Sequence, residues 1–148
     1  AIEKADLIVL GPGDLYTSLI PNLLVKGISL VLQRTKAKLV YVLNLMTRPG
    51  QTMNFSAKDH VTVLEKYLGK RINLVLVNSK PLPHAIFKKY EKEGSAPVVN
   101  DLKHSYFKII RGDFLLSEKV PVVKGDILKR SLIRHDSDTL AKALLSLA

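Results

Sequence analysis

Short runs of apolar residues recur along the first half of the chain and predict the strands of a parallel sheet. The runs are Asp6–Leu10, Leu39–Asn44 and Ile72–Asn78, and each carries apolar residues at both odd and even positions. This pattern is typical of strands that helices cover on both faces. Segments with helical spacing lie between the runs. The order strand, helix, strand, helix, strand therefore predicts right-handed crossovers.

Two residues interrupt the first helical segment. Apolar residues keep a helical spacing over Thr17–Thr35, but Pro21 removes a backbone donor and Gly27 breaks the helix. We therefore expect two short helices, Asn22–Lys26 after the proline and Ile28–Arg34 after the glycine.

The second helical segment carries its own start and stop signals. Asp59–Leu68 has an amphipathic pattern, Ser56 and Asp59 have the spacing of a capping box, and Gly69 supplies a left-handed C-cap. We interpret His60 as an exposed side chain of this cap rather than as an acid–base group.

The second half of the chain mixes turns with further elements. Pro83–Glu93 predicts a helix that Gly94 closes. Tyr106–Arg111 and Val120–Val123 have the composition of strands. A last helix is expected to begin at an N-cap on Asp136.

Together these elements predict an α/β fold, a mainly parallel sheet flanked by helices. No repeat, low-complexity tract or long linker divides the sequence, so we expect residues 1–148 to form a single domain. The first strand begins close to Ala1, and a three-stranded parallel sheet leaves an edge that proteins normally cover. We therefore expect the chain to be the carboxyl-terminal portion of a larger protein whose amino-terminal half completes the sheet.

The composition narrows the class of protein. Hydrophobic residues make up 47% and charged residues 24% of the 148 residues, as in folded soluble domains. The absence of cysteine excludes disulfides, thiolate zinc sites and cysteine nucleophiles. No apolar run reaches the roughly 18–20 residues of a membrane span. The sequence predicts a cytoplasmic protein without a membrane span.

The net charge of +10 raises the question of nucleic acid. The lysines are scattered, and the five tyrosines and four phenylalanines form no ladder for base stacking. We therefore favour a plain solvated basic surface, which aids solubility and attracts small anions, and nucleic acid is an unlikely partner. The positive field by itself suits a phosphorylated metabolite as well as it suits RNA. An RNA-binding basic domain stays as a third alternative.

The loop that follows the first strand is the strongest candidate for a ligand site. Gly11 and Gly13 let the backbone approach a ligand, and Thr17 and Ser18 add hydroxyl groups at the start of a helix, where N–H groups favour anions. The loop matches neither the G-x-G-x-x-G fingerprint nor the P-loop. The alternative is a turn that needs glycine for backbone reasons alone. Asp14 repels a phosphate unless it holds a hydroxyl, an amide or a metal.

Polar residues also follow the second strand, whose carboxyl end lies at the same edge of a parallel sheet. Asn44, Thr47 and Thr52 suit recognition of a base or sugar, and Arg48 suits a phosphate. The alternative is that these side chains satisfy the backbone of their own turn. Asn78 repeats the arrangement after the third strand.

Metal and hydrolytic chemistry gain no support from the sequence. The histidines are not paired at ligand spacing, and no Ser–His–Asp order or close carboxylate pair stands out. Arg134, just before the expected N-cap, is positioned to reach a phosphate or an acidic neighbour. We therefore predict no catalytic residue and no metal ligand, and we favour a binding function over an enzyme. The histidines are His60, His84, His104 and His135.

Six segments share a likeness to one family that extends over nearly the whole chain, and the first is highly specific. They are Ala5–Val25, Val42–Thr52, Asp59–Val61, Val75–Asn78, Arg111–Asp113 and Ile133–Asp136. Together they resemble the gluconeogenesis factor family, the regulatory branch of the 2-phospho-L-lactate transferase superfamily.

The resemblance implies a Rossmann-like fold that binds a nucleotide or nucleotide sugar at the strand ends. An amino-terminal glycine-rich loop, expected in the missing half, forms the other side of the cleft in such proteins. The regulatory branch is cytoplasmic, binds UDP-sugars, affects cell shape and growth on gluconeogenic carbon sources, and has no established catalytic step. The transferase branch carries Gly-Pro-Ser-Asn-Pro where this chain has Gly11–Leu15, which argues against the transferase reaction.

The function predicted from sequence is therefore that of a UDP-sugar-binding regulatory protein. The alternative is a phosphotransferase of the 2-phospho-L-lactate transferase type with a nucleotide diphosphate donor. No cofactor besides the nucleotide ligand is expected, and the oligomeric state, a homo-oligomer included, stays open. The predicted ligand-binding residues are Gly11, Pro12, Gly13, Asp14, Leu15, Tyr16, Thr17, Ser18, Asn44, Met46 and Thr47.

Overall fold

The computed structural model describes residues 1–83, 88, 90–103, 106–117 and 132–147. These residues form a four-stranded parallel sheet in the order β1-β2-β3-β4. The strands are β1 (Leu7–Leu10), β2 (Lys38–Val42), β3 (Leu74–Asn78) and β4 (Lys108–Gly112). The predicted α/β fold with a mainly parallel sheet is therefore confirmed. The segment predicted at Val120–Val123 lies outside the described residues.

The strand register brings all carboxyl ends to one edge of the sheet. Leu10 lies opposite Tyr41, Val42 opposite Leu76, and Asn78 opposite Gly112. Loops that follow β1 and β2 are therefore neighbours, as the sequence predicts. The second strand ends two residues earlier than predicted, and the third begins two residues later.

The first crossover holds two short helices after a wide first turn. A π-helical turn at Leu15–Leu19 runs into α1 (Ile20–Leu24), and α2 (Ile28–Arg34) follows Gly27, whose φ is 93°. The prediction that the first helix begins after Pro21 is wrong. A proline is tolerated in the first turn of a helix because its fixed φ already suits that conformation.

In residues 1–83, 88, 90–103, 106–117 and 132–147, no single helix is long and apolar enough to cross a membrane. Two consecutive helical segments, Leu15–Leu24 and Ile28–Arg34, have the length and apolar composition of a membrane span only when they are taken together, and they are bent by 81°.

The third helix, α3 (Ala57–Leu68), confirms the predicted caps. The Ser56 side chain accepts from the Asp59 amide, the Asp59 carboxylate accepts from the Ser56 amide at 2.9 Å, and Gly69 has a φ of 65°. The prediction of an exposed His60 is wrong, because its side chain is 0% exposed. His60 lies four residues before Leu64 and so shares the buried face of the helix.

The last helix, α4 (Ser137–Leu145), begins at the predicted cap. Asp136 accepts a hydrogen bond from the Thr139 amide at 2.7 Å, and this bond from the backbone lowers the pKa of the Asp136 carboxyl. Residues 90–92 are helical and Gly94 has a φ of 73°, which matches the end of the helix predicted at Pro83–Glu93. The middle of that helix lies outside the described residues.

Two hydrophobic cores form because side chains alternate along the buried strands. On β2, Leu39 and Tyr41 face the core that α1, α2 and α3 cover. Val40 and Val42 face the opposite side and pack in a smaller core with Leu140 of α4. The sheet thus has one thickly covered face and one thinly covered face among the described elements.

Candidate functional site

The loop after β1 makes a close approach to the neighbouring strand. Gly11 has a φ of 88°, and a Cβ built on it would lie 3.1 Å from the Val42 carbonyl oxygen. A side chain at this position would meet both the strand and an unfavourable backbone conformation. The backbone therefore requires glycine at position 11. This agrees with the alternative interpretation of the loop, a turn that needs glycine for backbone reasons.

The next residues begin the π-helical turn and leave its first amides unpaired within the helix. The Asp14 carbonyl accepts from the amides of Ser18 at 2.9 Å and Leu19 at 3.1 Å. The amides of the intervening residues have no partner earlier in the helix, as at any helix start. The Asp14 side chain makes no cap hydrogen bond.

Asn44 joins the two loops at this edge of the sheet. Its Nδ2 donates to the Gly13 carbonyl at 2.8 Å, and its Oδ1 accepts from the Tyr41 hydroxyl at 2.8 Å. Tyr41 is fully buried, and this burial raises the pKa of its hydroxyl well above the usual range. Because both ends of the Asn44 amide are engaged, this side chain holds the Gly13 loop against the end of β2.

The remaining polar residues after β2 satisfy nearby backbone. Thr47 is buried, its amide donates to the Ala96 carbonyl at 2.7 Å, and its Oγ1 accepts from the Ala96 amide at 2.9 Å. The Thr52 hydroxyl accepts from the Arg48 amide at 2.8 Å. Arg48 also forms an ion pair across the two loops, with its Nε 3.7 Å from Asp14 Oδ2.

A cavity of about 710 Å³ opens beside these loops. Its volume falls in the range of roughly 300–1,000 Å³ that is typical of small-molecule sites. Four segments surround it: the loop after β1, the loop after β2, the segment near residues 90–95, and the chain from residue 133 into α4. The lining residues are Pro12, Gly13, Asp14, Asn44, Leu45, Met46, Thr47, Arg48, Tyr90, Ser95, Ile133, Arg134, His135, Ser137, Leu140, Ala141 and Leu144.

The structure brings part of the predicted set to this cavity. Six of the predicted ligand-binding residues line it, three from each loop: Pro12, Gly13, Asp14, Asn44, Met46 and Thr47. The other five are not part of the lining: Gly11, which directly precedes it, and Leu15, Tyr16, Thr17 and Ser18, which continue into the first turn. Whether the six bind a ligand stays a prediction.

The four residues of the first turn have other surroundings. Leu15 is 1% exposed and packs in the larger core. Tyr16 meets the edge of Phe55, with ring centroids 6.3 Å apart. Thr17 and Ser18 are exposed on the outside of the turn. The wide π-helical turn carries these side chains away from the strand ends.

Sequence reasoning singled out Arg134 in this wall but missed the rest of it, which α4 and His135 provide. Leu140, Ala141 and Leu144 line the cavity with one face of the helix, and His135 lines it from the segment before the cap. Burial lowers the pKa of His135, against a smaller opposite effect of the Leu43 backbone. The amphipathic pattern of the last helix predicts a buried face, but no local signal shows which strand ends that face will meet.

A smaller cavity of about 180 Å³ lies at the ends of β2 and β3. Asn78 lines it, but its Nδ2 donates to the Lys80 carbonyl at 2.8 Å and its Oδ1 accepts from the Phe114 amide at 3.1 Å. Asn78 therefore satisfies local backbone. Within the part of the chain that the structure describes, no group of three or more histidine and acidic residues could hold a metal ion.

Comparison with known proteins gives the family. A family model described as 2-phospho-L-lactate transferase CofD matches residues 1–115. The chain belongs to the CofD family. Two relatives are named gluconeogenesis factor: one from Bacillus subtilis is 40% identical over 150 residues, and one from Halalkalibacterium halodurans is 36% identical over 146. These matches confirm the resemblance to the gluconeogenesis factors.

The relatives are longer than this member of the CofD family. The two matches cover 99% and 98% of the chain but 44% and 43% of the relatives, so the chain spans less than half of their length. A crystal structure of a UPF0052 family protein from Bacillus halodurans superposes with a TM-score of 0.84 at 34% identity. That likeness covers 97% of this chain and 44% of the other, and it supports the same α/β fold.

Proposed function

We propose that this CofD-family chain binds a nucleotide sugar of the UDP-sugar type in the 710 Å³ cavity. The observation that carries the proposal is the position of the cavity, between two loops that leave the carboxyl ends of neighbouring parallel strands. Open α/β sheets bind their ligands at this edge. The loops also belong to the segments that resemble the gluconeogenesis factors.

The chemistry of the lining supports an anionic ligand with an apolar part. Arg48 and Arg134 bring positive charge to the wall, which suits a diphosphate. Met46, Leu140 and Leu144 offer apolar surface for the flat face of a base. The Asp14 carboxylate, paired with Arg48, suits a sugar hydroxyl better than a phosphate.

The proposed role is regulatory. The names of the relatives connect those proteins with gluconeogenesis, and we extend that connection to carbon metabolism, cell shape and a cytoplasmic location for this protein. Because the chain spans less than half of its relatives, the role is proposed for the whole protein, with this chain supplying one side of the ligand site.

The test is a calorimetric titration of UDP-glucose and UDP-N-acetylglucosamine into the full-length protein and its variants. Ala141→Trp places a large side chain in the cavity and is expected to lower affinity at least tenfold. Lys142→Trp adds the same side chain at the next, exposed position of α4, outside the lining, and is expected to bind like the wild type. Absence of binding by the wild type, or equal loss in both variants, would refute the site.

A second candidate function has one observation in its favour. The family model that matches residues 1–115 is described as a 2-phospho-L-lactate transferase. A transferase would move the phospho-lactate group from a nucleotide diphosphate donor to the hydroxyl of an acceptor of the deazaflavin type, and the nucleoside monophosphate would leave. Incubation of the full-length protein with such donors and this acceptor, followed by chromatography of nucleotides, tests this function; no acceptor-dependent release with any donor counts against it.

A further inference from the structure

The segment that leads into β4 is attached to α3 at two separate places. At the start of the helix, the Ala57 amide donates to the Val99 carbonyl at 2.9 Å. Two turns farther along, the Tyr106 hydroxyl donates to Glu65 Oε2. Ala57 and Glu65 lie eight residues apart, which is about 12 Å along a helix. The helix and the segment are therefore joined at two points with a stretch of surface between them.

A second cavity, of about 510 Å³, lies along this stretch. Its walls are the first turns of α3 on one side and residues 101–103, 106 and 107 on the other. The volume falls in the range of roughly 300–1,000 Å³ that is typical of small-molecule sites. Its lining shares no residue with that of the 710 Å³ cavity. The two cavities are therefore separate.

Part of the lining of the second cavity is apolar and aromatic. Val61, Leu102 and Phe107 line it and are almost completely buried. Tyr106 also lines it and is 54% exposed, but its ring is held by its neighbours. The ring meets that of Phe107 edge-on, with centroids 5.1 Å apart, and the Arg71 guanidinium lies 4.1 Å from its centroid. This surface suits a flat apolar ring, because aromatic rings pack well against each other in such geometries.

The polar part of the lining carries more positive than negative charge. Lys58 of α3 and Lys103 of the facing segment line the cavity, and neither ammonium group has a hydrogen bond or an ion pair with a described residue. Asp101 is the acidic residue of the lining, and its Oδ1 accepts from the Lys58 amide at 2.9 Å. Glu65, beside the cavity, accepts from the Ile72 amide at 2.8 Å. The carboxylates are thus engaged, whereas the two cations are available to a ligand.

We propose that this second cavity binds a small phosphate monoester that carries a flat ring. The phosphate lies between Lys58 and Lys103, and the ring lies on the apolar surface. A phosphate monoester has a charge of about −1.5 to −2 at pH 7, so it matches two cations better than a carboxylate does. Nucleoside monophosphates and aryl phosphates share this chemistry. The inference goes beyond the proposed nucleotide-sugar function and does not depend on it.

The test is a calorimetric titration of the full-length protein with AMP and with phenyl phosphate. Tighter binding of AMP identifies nucleoside monophosphates as the ligand class, and tighter binding of phenyl phosphate identifies aryl phosphates. Inorganic phosphate is expected to bind at least tenfold more weakly than the better probe, because it leaves the apolar surface unused. Binding of neither probe, or equal affinity for inorganic phosphate, would overturn the proposal.

A matched pair of double variants locates the bound probe. Lys58→Met with Lys103→Met removes both cations of the lining and is expected to weaken binding of the better probe at least tenfold. Lys66→Met with Lys108→Met removes the same charge from exposed positions outside the lining and is expected to bind like the wild type. An equal loss in both double variants would indicate a general effect of charge and would also overturn the site.

Two single variants separate this site from the first cavity. Thr62→Trp fills the second cavity without a change of charge and is expected to weaken binding of the probe at least tenfold while the affinity for UDP-glucose stays unchanged. Ala141→Trp fills the first cavity and is expected to leave binding of the probe unchanged. Loss of the probe in Ala141→Trp alone would place it in the first cavity and refute this inference. A wild type that binds the probe but no nucleotide sugar would refute the proposed function alone.

Discussion

The two faces of the sheet are covered very differently in the described structure. Three helices and the π-helical turn pack on one face, around strand residues that are almost completely buried. On the other face, α4 is the helix that covers the sheet among the described residues, and its side chains pack in a smaller core. The cavity lies at the border of this second face, where α4 meets the strand ends. A densely packed face thus lies behind a face that borders an open cavity.

The comparison shows how one sheet can serve two purposes. A closed core resists any change of volume, because its interior is packed like a crystal. A face next to a cavity loses less when a side chain is removed, since part of its surface is already open. We therefore expect the first face to contribute most of the free energy of unfolding and the second face to border the bound ligand. The predictions below test this division, starting with the largest expected effect.

Shortening a leucine on each face measures the difference directly. Leu64 is 0% exposed in α3, and Leu64→Ala is expected to lower the free energy of unfolding by about 4 kcal/mol, because it leaves an enclosed cavity. Leu140 is 7% exposed in α4 and borders the open cavity, so Leu140→Ala is expected to cost about 2 kcal/mol. Urea unfolding of the two variants gives both values. Equal losses would show that the faces contribute alike.

Removing the link between the two loops should affect both stability and the site. Asn44→Ala leaves the buried Tyr41 hydroxyl without its acceptor, which costs about 1–3 kcal/mol, and frees the Gly13 loop. Tyr41→Phe removes the hydroxyl but keeps the bond to Gly13, so about 1 kcal/mol is expected. Amide hydrogen exchange should rise in residues 11–18 in the alanine variant and stay unchanged in Tyr41→Phe. Unchanged exchange in both variants would exclude a positioning role for Asn44.

The buried histidine of the first face predicts a pH dependence of stability. Burial lowers the pKa of His60 below its ordinary value of 6.5, against smaller opposite effects of the Ser56 carbonyl and the Asp59 charge. The unfolded chain thus binds a proton more readily, so stability is full above about pH 6.5 and falls as the pH drops below it.

The control for this pH dependence is His60→Phe. The Ser56 carbonyl that His60 Nδ1 contacts at 2.9 Å also accepts the His60 amide, so phenylalanine leaves no carbonyl unpaired. Unfolding curves between about pH 5 and pH 8 should show a weaker pH dependence in this variant, with His135 contributing to what remains. An unchanged dependence would show that His60 does not titrate on unfolding.

The smallest effect is expected from the ion pair on the cavity rim. Arg48 and Asp14 are partly exposed and their atoms are 3.7 Å apart, so the pair contributes about 0–1 kcal/mol. Arg48→Met should change the urea midpoint very little and should weaken nucleotide-sugar binding more at low salt than at high salt. A large loss of stability would mean that the pair is shielded from water.

Much of the first face was predictable because its signals are local. Runs of apolar residues identify β1, β2 and β3, and the residues Ser56 and Gly69 mark the ends of α3. His60 misled the prediction because a polar residue near a helix start suggests a cap, whereas its spacing from Leu64 places it in the core.

In the candidate site, the sequence could predict only those residues that the pairing of neighbouring strands brings together. Parallel pairing of β1 and β2 is enough to bring Gly13 and Asn44 together, and both line the cavity. Leu15 was misplaced because a π-helical turn has no clear sequence signature. The wall formed by His135 and α4 depends on packing between segments almost a hundred residues apart, which no local pattern encodes.

The hydrogen bond of Tyr41 to Asn44 offers an optical reporter of the rim. The chain contains no tryptophan, so its near-ultraviolet absorption and emission come chiefly from tyrosine. Tyr41 is the largest of the fully buried side chains among the described residues, and its hydroxyl is one amide group away from the loop that borders the cavity. We therefore expect a ligand in the cavity to change the tyrosine spectrum of the native chain without a label, and to leave that change out of its Tyr41→Phe counterpart.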